Sequence, residues 1–356
     1  MFYLIEPLEA LEALENGEKQ EKQEIYIDEK EAAPNQLSFN FITDFFHVTI
    51  PEGVKNIWRR AFADSRFLIS VKIPESVTEI ECQAFFRCRL LESVNIPNGV
   101  TSIGKSAFFD CGSLSAITIP ENVSTIQQNT FMDCLSLSSV VIPVGVETIE
   151  ERAFKHCSSL ISVIIPEGVT AIGMSAFCGC TSLVSVTIPE GVTVIGDITF
   201  EECNSLVSVT IPESVISIGD NSFSNCMSME SMVILGSVRH IGGCAFYGCR
   251  SLTSVIIPEG VNYIGRCAFY GCRSLTSVII PEDITDIQEL AFPDHTEVKR
   301  SCVVFWSIKN HSICDDLSKK RVYIIFLALF RQNIPEVVIR AIMRIVKVNV
   351  LKPYIA

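Results

Sequence analysis

An isoleucine returns every twenty-three positions along most of this chain, at Ile50, Ile73, Ile96, Ile119, Ile142, Ile165, Ile188, Ile211, Ile234, Ile257 and Ile280. Proline follows it in ten of the eleven copies, and Leu235 is the exception. A phenylalanine ladder from Phe62 to Phe292 and a second isoleucine ladder from Ile57 to Ile287 keep the same period. Residues 177–199 show what one period predicts. Leu183, Val186 and Ile188 are spaced L-x-x-L-x-L. Side chains alternate along a strand, so Val186 and Ile188 face one side while Ser185 and Thr187 face the other. Pro189 lacks an N–H and ends the strand. Val192 and Ile195 are three apart, which predicts a helical turn as the return leg. One such unit cannot bury its apolar face alone, but copies stacked on one another can. The expected fold is therefore an α/β repeat solenoid of about eleven 23-residue repeats with a parallel β-sheet, plus a C-terminal helical segment.

Outside the period the pattern changes. In residues 1–44 Glu recurs every third position from Glu6 to Glu24, with Leu4, Leu8, Leu11 and Leu14 between. This predicts an acidic, partly helical or disordered lead-in. Residues 45–298 are the array. Residues 299–356 break the period, and Ile339, Ile342, Met343 and Val346 form an i, i+3, i+4, i+7 stripe, which predicts a basic helical cap or tail.

The repeated string Ser-Leu-x-Ser-Val-x-Ile-Pro-x-x-Val-x-x-Ile-Gly-x-x-Ala-Phe-x-x-Cys is complete in Leu252 to Pro258, Val261, Ile264, Gly265, Ala268, Phe269 and Cys272. It resembles the BspA-like (Treponema-type) leucine-rich repeat over most of the chain. The resemblance implies a curved right-handed coil that binds proteins, in a family that includes microbial surface adhesins.

Charge and chemistry narrow the function classes. The net charge is −13. Residues 299–356 carry 11 Lys and Arg against 3 Asp and Glu, so the remainder is strongly acidic. Phosphate contact needs basic side chains, so nucleic acid is not the expected ligand. The longest apolar run, Val322 to Phe330, is nine residues, too short for a membrane span. No secretory signal is visible at the start. The expectation is a cytoplasmic monomer, with the cell surface as the alternative location.

Nine of the fifteen cysteines form a ladder from Cys88 to Cys272. Equivalent side chains of stacked coils run parallel, so reduced, buried spacers are expected rather than disulfides. Cys82, Cys178, Cys244 and Cys267 lie off the ladder and are expected to be more exposed. No zinc-ligand spacing occurs, and Glu after the Ile-Pro pair reads as a solvated edge. His156 beside Cys157 is not read as a catalytic pair. No GxSxG, HExxH, GxGxxG or phosphate-loop string is present, so neither an enzyme nor a cofactor is expected.

The reading that follows is a non-catalytic scaffold for an unidentified protein partner. The candidate contacts are Tyr247, Arg250, Tyr270 and Arg273, from a sixteen-residue block duplicated word for word, and Ser185, Thr187, Ser208 and Thr210 on the outer strand face. Apolar character on that face is expected from Val233 onward. A cell-surface adhesin of the same fold is the alternative. A third reading is an adaptor in ubiquitin transfer, from a faint likeness of Ile334 to Ile342 to the start of an F-box helix.

Overall fold

Triplets such as Ser-Val-Thr, closed by Ile-Pro, form short strands because β-branched residues suit a pleated, half-buried surface. The computed structural model describes residues 47–235, 237–282 and 284–300, and the backbone of Glu24–Tyr26. The chain divides into two units, Met1–Leu160 and Ile161–Ala356.

In the first unit, Glu24–Tyr26, His47–Thr49, Ser70–Lys72 and Ser93–Asn95 form a four-stranded parallel sheet, and Ala116–Thr118 pairs with Ser139–Val141. In the second, Ser162–Ile164, Ser185–Thr187, Ser208–Ile211 and Ser231–Ile234 form one parallel sheet. Ser254–Ile256, Ser277–Ile280 and Glu297–Arg300 form another. Partners lie twenty-three residues apart, as in Val163↔Val186 and Val209↔Met232.

The register holds one coil before the Ile-Pro ladder begins, since Glu24 pairs with His47. It slips at the other end, where Ser277 pairs with Glu297 and the last coil is three residues short. Glu24–Tyr26 thus forms a strand inside the segment expected as a lead-in. The other lead-in residues, and the C-terminal helical segment from residue 301 on, lie outside the described residues.

The return leg differs from expectation. Val194–Ile195 is a two-residue strand, not a helical turn, and it pairs with Ser217–Ile218. The Val192 N–H does close a turn on the Pro189 carbonyl. The chain then extends, because the next coil offers a hydrogen-bonding edge that a lone helical turn would forgo. No helix occurs among the described residues.

The turn segment between the two strand rows alternates its donors. The N–H groups of Gln83, Phe85 and Arg87 bond to the carbonyls of Lys105, Ala107 and Phe109 in the following coil, while those of Ala84, Phe86 and Cys88 bond back to Glu81, Gln83 and Phe85. Left-handed φ values of 60° at Gln83 and 59° at Arg87 accompany this alternation. The same two positions are left-handed in coil after coil, and at Ile198 a β-branched side chain bears that strain.

The core is a set of ladders. In the first unit Phe62, Phe85, Phe108, Phe131 and Phe154 stack with centroids 5.1–5.6 Å apart. In the second, Phe177, Phe200, Phe223, Phe246, Phe269 and Phe292 stack at 5.1–5.5 Å. Near-parallel rings at this spacing bury large apolar areas on both faces. The ladder cysteines beside them are buried. Each thiol whose bond is resolved donates to the phenylalanine carbonyl of the preceding coil, as Cys88 does to Phe62 at 3.0 Å and Cys226 to Phe200 at 3.3 Å.

Candidate protein-contact surface

Strand alternation decides which side chains reach solvent. Along Ser162–Ile164 and Ser185–Thr187, the central Val163 and Val186 are buried and the flanking residues are exposed. Ser162↔Ser185 and Ser185↔Ser208 are register partners, so Ser162, Ser185 and Ser208 form one exposed row. Ile164, Thr187 and Thr210 form the parallel row, and Ile164 is 80% exposed. This face carries no charge, and Ser185, Thr187, Ser208 and Thr210 lie together on it as expected. In the first unit the equivalent row runs through Lys72, Asn95, Thr118 and the 59%-exposed Val141, and Lys72 gives it a charge.

The apolar character expected from Val233 onward is less accessible. Val233, Ile256 and Ile279 are half-buried. Ile256 and Ile279 are register partners whose branched side chains cover one another, and Lys299 adjoins Ile279 in the next strand. On this row the exposed apolar side chains are Val141 and Ile164, each beside a Thr in its sheet.

The other candidates sit in the turn segment, away from the strand face. Tyr247 and Tyr270 stack with centroids 6.0 Å apart and are 38% and 42% exposed. Arg250 and Arg273 are exposed in the same adjoining coils, joined by the Ser274 N–H to the Arg250 carbonyl at 3.1 Å. Neither arginine makes an ion pair among the described residues. The structure therefore brings Tyr with Tyr and Arg with Arg, but keeps this edge apart from the Ser/Thr rows.

A further cluster, in the first unit, escaped sequence reasoning. Phe86 and Phe109 stack at 4.9 Å, and the Arg87 guanidinium lies 4.9 Å from the Phe86 ring centre. Asp64 lies between Arg60 at 3.4 Å and Arg87 at 3.9 Å. The signal was a second phenylalanine directly after the ladder residue in two successive repeats.

The remaining chemistry is structural. His156 Nδ1 lies 2.8 Å from Asp133 Oδ1, whereas the neighbouring Cys157 thiol points inward to the Phe131 carbonyl. The two do not face each other. Burial pushes the thiols of Cys88, Cys111, Cys134, Cys203, Cys226 and Cys249 far above the usual range. Of the cysteines off the ladder, Cys82 is exposed and Cys244 and Cys267 are half-exposed. Cys178 is buried, contrary to expectation, because its side chain turns toward Glu201 in the next coil. Among the described residues no three metal-ligating side chains converge, and no helix is long and apolar enough to cross a membrane.

The model of the BspA type leucine rich repeat region matches residues 22–137, 55–184, 124–249 and 170–299. A leucine-rich repeat protein from Bacteroides ovatus is 27% identical over 71% of this chain and 77% of its own, with a TM-score of 0.56. A leucine rich cell surface protein from Faecalibacterium prausnitzii is 30% identical over 75% of this chain and 89% of its own, with a TM-score of 0.44. The pneumococcal vaccine antigen PcpA shares the fold at 20% identity, covering 73% of this chain and 79% of its own, with a TM-score of 0.51. No curated protein sequence matches the chain.

Proposed function

The chain belongs to the BspA-type leucine-rich repeat family, and from that premise we propose that it is a non-catalytic scaffold that binds a protein partner on its outer strand face. The observation that carries this reading is the pair of exposed, uncharged rows at Ser162, Ser185 and Ser208 and at Ile164, Thr187 and Thr210. A flat face of this kind imposes no desolvation of charge on a partner, and Ile164 supplies apolar area. Specificity then comes from the residues that vary between the invariant ladders.

The test places a photo-crosslinking residue at Thr187 and, as a control, at the exposed Thr193 on the same coil, in living cells. A discrete adduct from Thr187, absent from Thr193 and lost with Thr210→Arg, is the expected result. Equal adducts from both sites, or none from Thr187, would remove the strand face as the binding surface.

We place the protein in a reducing compartment. Support comes from the ladder of buried cysteines, whose side chains run parallel and suit a compartment that keeps cysteines reduced. The surface-adhesin reading has its own handle: Asn122, in the triplet Asn122-Val123-Ser124, is exposed and open to glycosylation. Imaging the chain with a tag at each end, and mass analysis of the Asn122 peptide, separate the two readings.

A further inference from the structure

The word-for-word repeat that stacks Tyr247 on Tyr270 also brings two cysteines off the buried ladder into adjoining coils. Cys244 and Cys267 occupy the same left-handed turn position, with φ of 53° and 57°. Both are half-exposed, unlike the ladder thiols. The Cys244 N–H bonds to the carbonyl of Arg266, the residue before Cys267, at 2.9 Å. The rungs that follow, Phe246 on Phe269, are 5.1 Å apart. Just before the cysteines the two backbones pack closely, since a Cβ on Gly265 would meet the backbone of Gly242 and Gly243. Coils hydrogen-bonded in register lie about 4.7–4.9 Å apart, inside the Cα window of about 4.4–6.8 Å that a disulfide spans. The two thiols are within hydrogen-bonding reach, Arg266 and Asp220 are charged groups near Cys244, and the Cys267 N–H bonds to the carbonyl of Glu289 in the next coil.

We propose that Cys244 and Cys267 form a surface dithiol modification site that an anionic low-molecular-weight disulfide, of the glutathione disulfide type, oxidises to an inter-coil disulfide. One protein thiolate attacks a sulfur of the small disulfide, whose S–S bond breaks and releases one glutathione thiolate. The second protein thiolate attacks the cysteine sulfur of the mixed disulfide and expels the second glutathione. Two protein S–H groups are oxidised, one small disulfide is reduced, and the two protons pass to the departing thiolates. Arg266, with Arg250 and Arg273 exposed on the same turn segments, offers positive charge to the carboxylates of the incoming disulfide. In-register side chains run parallel, so the product is strained. A strained, exposed disulfide is readily reduced, and the modification is reversible. Partial burial, then Cys267 and Asp220, hold the Cys244 thiol above its ordinary value. The thiolate is the nucleophile, so exchange quickens from pH 7 to pH 9.

The experiment treats the full native chain with glutathione disulfide, blocks remaining thiols, unfolds and digests with trypsin. Cleavage after Arg239, Arg250, Arg266 and Arg273 yields peptides 240–250 and 267–273. The expected result is these two peptides joined, two hydrogens lighter than their sum, and separated again by dithiothreitol. Each peptide also holds a ladder cysteine, so Cys244→Ser and Cys267→Ser are compared with the parent. Either variant should lose the joined pair and carry one glutathione adduct on the cysteine that remains. A joined pair surviving in either variant would route the link through a ladder cysteine, Cys249 or Cys272, and overturn the proposal. So would glutathione adducts on the parent with no joined pair.

Discussion

The residue before each ladder phenylalanine lies where the turn closes on the core, and most copies use alanine there. Thr130 and Thr199 are the larger occupants, and each hydroxyl donates to a carbonyl in its own turn, Gln127 at 2.7 Å and Gly196 at 2.8 Å. Ser222 is fully buried and its hydroxyl has no partner among the described residues. A buried, unsatisfied hydroxyl costs about 1–3 kcal/mol, and alanine removes that cost while leaving only a small void. Ser222→Ala should therefore stabilise the protein by about 1 kcal/mol, read as a higher urea midpoint. An unchanged or lower midpoint would mean that the hydroxyl is satisfied in solution. The ladder and its period are plain in the sequence at this scale. The unsatisfied serine is not, since Ser, Thr and Ala look interchangeable until the hydroxyl's neighbours are known.

At the scale of elements, the second row of strands was the part hidden from the sequence. Val192 and Ile195 are three apart, and that spacing serves one helical turn or a turn followed by a two-residue strand equally well. The choice rests on the edge offered by the next coil, which no single repeat contains. At several coils the position after the isoleucine of this row is glycine. A Cβ on Gly265 would meet the backbone of Gly242 and Gly243, whereas the equivalent Gln288 is exposed and bonds to Asp286 Oδ1 at 2.6 Å. Forcing a methyl group into the first site should cost about 1–3 kcal/mol. Gly265→Ala should lower the urea midpoint accordingly, with Gln288→Ala close to neutral. Equal effects at the two sites would show that the coils at Gly265 can part without loss. Proline, by contrast, shapes the first row. Leu235 alone keeps an N–H after the ladder isoleucine, and that N–H bonds to the Ile211 carbonyl at 3.0 Å.

At the scale of the whole molecule, small terms add because each is repeated. Six ladder thiols have folded pKa values raised above the ordinary 9.0 by burial. The folded chain keeps these protons where the unfolded chain releases them. Stability is therefore intact below pH 9 and falls as pH rises past it, by about 1.4 kcal/mol per thiol per pH unit. Urea midpoints at pH 8, 9 and 10 should drop with increasing steepness, and Cys203→Ala should make the drop shallower. A flat profile would mean that the thiols ionise in the folded state. The proposed contact face was the least legible feature, because the strands at Ile164 and Thr187 are built from residues that also make ordinary strands. The cysteine pair was visible as letters, but its accessibility was not. The turn segment carries one last consequence. Its alternate N–H groups all point toward the following coil, so a coil with no successor presents a row of ready donors. In a chain truncated to end on such a coil, that row would be a growth front, able to accept any chain that offers carbonyls at the same pitch, a second molecule included. Protein concentration, and not heat alone, should then govern whether samples of such a chain stay clear or turn fibrous.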